Sequence, residues 1–411
     1  MPRTRKTQDG PGISTSDRLI EAVIEACWTC GSSNASVRSL AARADAPISS
    51  IYHHFGSMEQ LYVSAQEHAL ALARAWCDQQ RTALAALPRF SAHAFAPLMA
   101  ALIDDFCEAQ RAVAFAWRDC ELMAARSPRH APLARRWAML WTEFWSDLSA
   151  RAGLGDHSAL TTHFFQGESL LHLMQWQRTI DRPCLEETCA GWVLWLEGRL
   201  APGGEWRRFG AEQAHREMPP LTAFSGTMER IADTAADIVA EQGISGLTHR
   251  AVAARANLTL GVISHNCHSS ADLVRAAFET IYRRTVASSA PGDLAQEGPD
   301  QPSEFDPLPP HSPEALLCAM DELLLAVARN PSLRPFAPQL RYWRGRTSGK
   351  VLEAMLAPDR VVSPRDAALF SAMVAGMRKW SLGLDEGAAT DHRKRCMAQV
   401  AALLRDGKDR M

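Results

Sequence analysis

The run Leu40-Ala-Ala-Arg-Ala44 returns as Val252-Ala-Ala-Arg-Ala256, 212 residues further along a chain of 411, and its flanks return with it. Asp45 is answered by Asn257, Ile51 by Ile263 and Leu61 by Leu273. An echo of this length and order at about half the chain length predicts a tandem duplication of one structural unit. Whatever the first copy folds into, the second must be able to approximate. The repeated material is helical: apolar residues recur three and four apart, and alternating strand patterns are nearly absent. With 47% hydrophobic and 22% charged residues the composition is that of an ordinary globular chain, so the expected class is all-α.

The first copy opens with a helix after Ser14, where Ser14-x-x-Asp17 reads as a capping pair, and its apolar stripe is Leu19, Ile20, Val23, Ala26 and Cys27. Gly31 ends it. Ser36 is the N-cap of a short second helix carrying Val37, Leu40, Ala41 and Ala44. Asp45 tolerates the left-handed backbone of a sharp corner. Pro47 suits the first turn of a third helix over Ile48–His53. The counterpart opens with Ile231, Ala235, Ile238 and Val239 and closes at Gly243. Longer helices are expected at 70–86, 94–125, 131–151, 158–178 and 184–200, then at 313–329, 334–356, 364–384 and 389–405. The resulting divisions are heads at 13–73 and 225–285, helical regions at 74–200 and 313–406, a linker at 201–224 and a flexible Pro- and acid-rich segment at 286–312.

Three short helices with a tight corner before the third present a helix to the major groove of DNA. The order Leu40-Ala41-x-x-Ala44-Asp45-Ala46-x-x-x-x-Ile51-Tyr52-x-His54-Phe55, followed by Leu61, resembles the TetR family of bacterial transcription regulators. The resemblance is strong over 13–73 and weaker over 225–285. It implies a repressor whose helix-turn-helix binds double-stranded operator DNA and whose C-terminal helices bind a small-molecule inducer and dimerise. Position by position, it puts Ser36 and Arg38 near phosphates, Pro47, Ile48, Ser49, Ser50, Tyr52 and His53 on or beside the recognition helix, and Tyr52 and His54 at positions that touch the DNA backbone. Phe55 falls where the family packs the corner. Arg3, Arg5 and Lys6 make a basic arm able to reach the backbone or a minor groove. Met58 stands where most relatives carry a phosphate-directed Lys. The second copy has Ser264, Asn266 and Cys267 in place of Tyr52, His54 and Phe55, and is read as a degenerate head in which Thr248, Arg250, Thr259 and His265 still approach DNA.

Ten of the 12 tryptophans precede residue 216, and Trp137, Trp141 and Trp145 recur every fourth position. They read as bundle core or dimer contact, or with Trp117, Phe164, His172 and Trp176 as the wall of a pocket for a small apolar or aromatic inducer. The duplication offers two assemblies: an intrachain pseudo-dimer pairing 158–178 and 184–200 with 364–384 and 389–405, or a homodimer of chains. Cys27-x-x-Cys30 and the other cysteines read as reduced buried thiols. His53-His54 point apart on a helix, so no metal is expected there. Nucleotide-loop, zinc-protease and nucleophile-elbow motifs are missing from the sequence, so no catalytic residue and no cofactor are expected. Without an apolar leader behind Arg5-Lys6 or a membrane-length apolar run, the expected location is cytoplasmic. The net charge of −2 and the altered second copy also admit a regulator-like interaction protein that has given up DNA.

Overall fold

The computed structural model describes residues 14–200, 203–217, 224–286, 313–356 and 360–406. The chain is all-α, with no strand among these residues. The first head comprises α1 (Thr15–Thr29), α2 (Val37–Arg43), α3 (Ile48–Phe55) and α4 (Met58–Ala83). A bundle follows: α5 (Ala92–Ala109), α6 (Arg111–Arg126), α7 (Ala131–Arg151), α8 (Ser158–His172) and α9 (Arg178–Leu196). After α10 (Glu205–Arg216) comes a second head of α11 (Gly226–Gln242), α12 (His249–Ala256), α13 (Leu260–Asn266) and α14 (Ser270–Val286). The rest is α15 (Pro313–Arg329), α16 (Ala337–Tyr342), α17 (Arg346–Met355), α18 (Pro364–Trp380) and α19 (Glu386–Asp406).

The heads are built by the same local devices, repeatedly 212 residues apart. Ser36 Oγ accepts the Ser39 amide at 3.0 Å, and Thr248 Oγ1 accepts the Ala251 amide at 3.1 Å. Each bond satisfies one orphan donor at a helix start. Asp45 and Asn257 are the two non-glycine residues with positive φ among those described, at 46° and 51°. Arg18 donates from Nε to the Ala44 carbonyl at 2.9 Å, and Arg230 donates to the Ala256 carbonyl at 2.6 Å. A guanidinium from the first helix of each head thus caps the C-terminus of the second. Ile51 and Ile263 are fully buried beneath the third helices.

The halves pack directly on one another. Among the described residues α8 and α18 make the most extensive contact between two elements, with α9 beside α18 and α19. Gly167 lies under the Ala372 carbonyl and Gly376 under the His163 carbonyl, so closely that a Cβ on either glycine would overlap backbone. The two contacts are reciprocal: position 163 faces 376 and 167 faces 372, each pair of like positions being 209 apart. The two glycines thus let the backbones of α8 and α18 approach closely at two reciprocal points. Beneath the heads α6 and α15 repeat the pattern, with Arg126 bonded to Glu322 at 2.7 Å and Arg329 paired with Asp119.

Several segments depart from sequence expectation. The helix expected over 94–125 breaks at Gln110, although Ala109-Gln110-Arg111 are good helix formers. Arg111 there donates to the Leu173 and Ala328 carbonyls at 3.1 and 3.0 Å, so tertiary bonds override local propensity. The helix expected over 158–178 stops at His172, and Asp181 accepts the Trp176 amide in the turn that follows. The helix expected over 334–356 is divided at Trp343–Gly345, where Gly345 takes a φ of 104°. The stretch read as a linker contains α10, whose first amides are held by Glu187 of α9 at 3.1 and 2.9 Å rather than by a residue of its own. Most of the Pro- and acid-rich segment lies outside the described residues.

Candidate nucleic-acid interface

Three features aim α3 outward. Ile51 and the partly buried Phe55 anchor its inner face, Pro47 starts it in extended backbone, and Gly56 closes it at a φ of 73°. The outer face carries Ile48 and Tyr52, 42% and 52% exposed, with Ser49, His53 and His54 also exposed. Ser36 and Arg38, at the start of α2, are exposed near the same corner. Hydroxyls, imidazoles and helix N-termini are groups that seat a protein on phosphates, and short side chains are those that approach base edges. Ser50 is half-buried and Pro47 exposed. The sequence-derived residues on 36–55 therefore occupy one head, most of them solvent-facing. Arg3, Arg5 and Lys6 lie outside the described residues.

The second head keeps part of this equipment. Thr248, Arg250, Thr259 and His265 are all exposed. Arg250 and His265 stand 212 residues after Arg38 and His53, so an N-cap hydroxyl, an arginine and an imidazole recur. Tyr52 has become Ser264. Cys267 fills the corner in place of Phe55 and is fully buried. His249 bonds to its carbonyl at 2.9 Å, tying the end of α13 back to α12. The smaller plug is thereby compensated by a local hydrogen bond.

The aromatic residues of the bundle separate into two groups. Trp117, Trp137 and Trp141 are buried and mutually packed, and buried Trp145 joins them through Phe165, which lies 4.8 to 5.7 Å from three of the four rings. Phe164 faces the other way and stacks on Trp192 at 4.7 Å. His172 and Trp176 instead line a cleft of about 150 Å³ with Asp104, Arg178, Arg334 and Arg341. Of the seven residues expected to wall a pocket, His172 and Trp176 line this cleft and the other five do not. Arg341 donates to His172 Nδ1 at 2.9 Å. A guanidinium only donates, so that nitrogen carries the lone pair and Nε2–H faces Asp104 Oδ1 at 2.9 Å. Burial, outweighing the Asp104 bond, holds the imidazole below its usual range and hence neutral at pH 7. Burial works against the Asp104 carboxylate too, but His172, Arg182 and Arg178 prevail and keep its pKa low.

Sequence reasoning missed the arginines from the second half that complete this cleft, since no local motif marks Arg334 or Arg341. It also missed a convergence of His163, His392 and Cys396 between the halves. Its only trace in the sequence is the one-turn spacing of His392 and Cys396. Of the cysteines, Cys30 alone is exposed, having passed the end of α1. No described helix is long and apolar enough to cross a membrane. In comparison with known proteins, residues 19–65 match the model of the bacterial regulatory proteins of the tetR family. No curated protein matches the chain.

Proposed function

We propose, from the premise that the chain belongs to the TetR family and is a DNA-binding transcriptional regulator, that it acts as a repressor in which a tandem duplication supplies both halves of the usual dimer. The observation that carries this reading is the exposed Tyr52 and His53 face of α3 within the matched 19–65 segment. The reciprocal α8–α18 crossing supports the second part, because it occupies within one chain the place a partner subunit would take. Covalent linkage raises the effective concentration of one half for the other, so pairing within the chain outcompetes pairing between chains.

A small molecule entering the cleft beside His172 and Trp176 would compete for the bonds that Arg334 and Arg341 make across the halves. The adjoining Leu173 carbonyl is held by Arg111 at the start of α6. Further along α6, Asp119 holds the Ser32 amide of the first head at 2.6 Å and pairs with Arg329. A shift at the cleft is thus connected through one helix to the head. A ligand that favours the shifted arrangement lowers operator affinity by its differential binding to the two states.

The test is binding of the full chain to the DNA upstream of its own gene across a range of salt. A salt-dependent preference for that fragment over random duplex is the expected result. Absence of any duplex binding at low ionic strength would overturn the reading and leave an interaction protein that does not use DNA.

A further inference from the structure

Where the halves meet, α19 brings His392 and Cys396, one helical turn apart and on one face, against His163 of α8. The two Nε2 atoms are 2.8 Å apart, and Cys396 Sγ is 3.5 Å from His392 Nε2. All three donor atoms lie within 4.8 Å of one another. The residues are buried, at 1%, 9% and 3% exposure. Trp380 walls the group, its ring stacked on His392 at 4.1 Å and edge-on to His163 at 5.6 Å.

As a purely structural cluster this arrangement is poorly satisfied. Two neutral imidazoles facing each other through Nε2 share one proton between two lone pairs, and His163 Nδ1 is buried without a hydrogen-bond partner. As a ligand set it is coherent. Two imidazoles and a thiolate are the donors that borderline and soft cations select. Burial keeps both imidazoles neutral, so their lone pairs are available at pH 7. Tetrahedral coordination with metal–nitrogen distances of about 2.0–2.1 Å separates two such nitrogens by roughly 3.4 Å, a modest opening of the present contact.

We propose that His163, His392 and Cys396 form a binding site for one thiophilic d¹⁰ cation, Zn²⁺ or Cu⁺, that ties α19 to α8 across the two halves. On binding, Cys396 gives up its thiol proton to solvent and each imidazole turns its Nε2 lone pair to the ion, with Nδ1 protonated. With one thiolate, Cu⁺ leaves the site neutral and Zn²⁺ leaves it with a single positive charge. The site stands apart from the operator-binding reading, and its test does not use DNA.

The decisive measurement is metal titration of the metal-free full chain. Cobalt(II) serves as the spectroscopic probe, while Zn²⁺ and Cu⁺, the latter under reducing and anaerobic conditions, are titrated in separate arms. The expected result is one cobalt per chain with a thiolate-to-cobalt charge-transfer band, displaced by whichever of Zn²⁺ or Cu⁺ the site prefers. Cys396→Ser should abolish the band, and His163→Gln should weaken retention of the ion at least tenfold. Helicity of both variants is checked without metal. Should either variant fail to fold, X-ray absorption on the metal-loaded native chain decides, with two nitrogens and one sulfur about the ion expected. No thiolate band in the native chain, a band that survives Cys396→Ser, or a sulfur-free first shell would each overturn the proposal.

Discussion

At the level of single residues, the matched head and its echo differ most consequentially at Tyr52 and Ser264. A tyrosine hydroxyl bonded to a phosphate contributes about 1.5 kcal/mol. Tyr52→Ala is therefore expected to weaken duplex binding roughly tenfold and evenly across sequences, since backbone contacts carry no base information. Filter binding on matched and scrambled duplexes measures this, and unchanged affinity would remove Tyr52 from the interface. Ser264→Tyr should leave affinity unchanged or raise it. A second prediction concerns His163. Burial lowers its imidazole from an ordinary 6.5 to about 3. A histidine depressed in the folded state takes up its proton first in the unfolded chain, so the stability it confers is present above pH 6.5 and is lost as pH falls from there toward 3. Urea midpoints of the metal-free chain should decline over that window, and less steeply in His163→Gln. Equal slopes would show that the imidazole is not held neutral.

At the level of helices, what was legible in the sequence depended on whether a segment's determinants were local. Ser14, Gly31, Ser36, Asp45 and Pro47 are local, and α1–α3 begin where those residues put them. The N-terminus of α10 is held by Glu187, and the break between α5 and α6 by Arg111 reaching Leu173 and Ala328. These partners are distant in sequence and carry no pattern, so the local signal alone gives a linker for the first and a continuous helix for the second. The tryptophan stripe shows the same limit: a period of four puts Trp137, Trp141 and Trp145 on one face but does not say that Phe165 packs against Trp141 and Trp145. The α8–α18 crossing permits a sharper test. Its glycines are required by close approach of two backbones, because a methyl group on Gly167 would sit on the Ala372 carbonyl. Gly167→Ala should cost about 3 kcal/mol through forced separation of the helices, although alanine in an isolated helix is the better former. Thermal melting of Gly167→Ala and Gly376→Ala gives the comparison, and a stabilised variant would mean that the crossing does not form.

Across the whole molecule, the consequence of joining unlike halves is asymmetry. A homodimer places identical heads on DNA and selects a palindrome, with half-sites one helical turn or a multiple apart. Here the two third helices share an exposed aliphatic start, Ile48 and Leu260, and then diverge at Tyr52 and Ser264 and at His54 and Asn266. Both heads carry a capping hydroxyl, an arginine and an imidazole at positions 212 apart, and on the proposed reading these groups face phosphate. Binding selection from random duplex should then yield a bipartite site in which the element bound by the first head is well specified and the other is degenerate. In the same preparation, sedimentation should give a species near the chain mass of 45.2 kDa, because the surface formed by α8 and α9 is already covered by α18 and α19. The two measurements bear on each other. A palindromic site together with a stable species of twice the mass would mean that the heads pair between chains. An asymmetric site bound by a single chain requires both heads of one polypeptide to reach the same duplex.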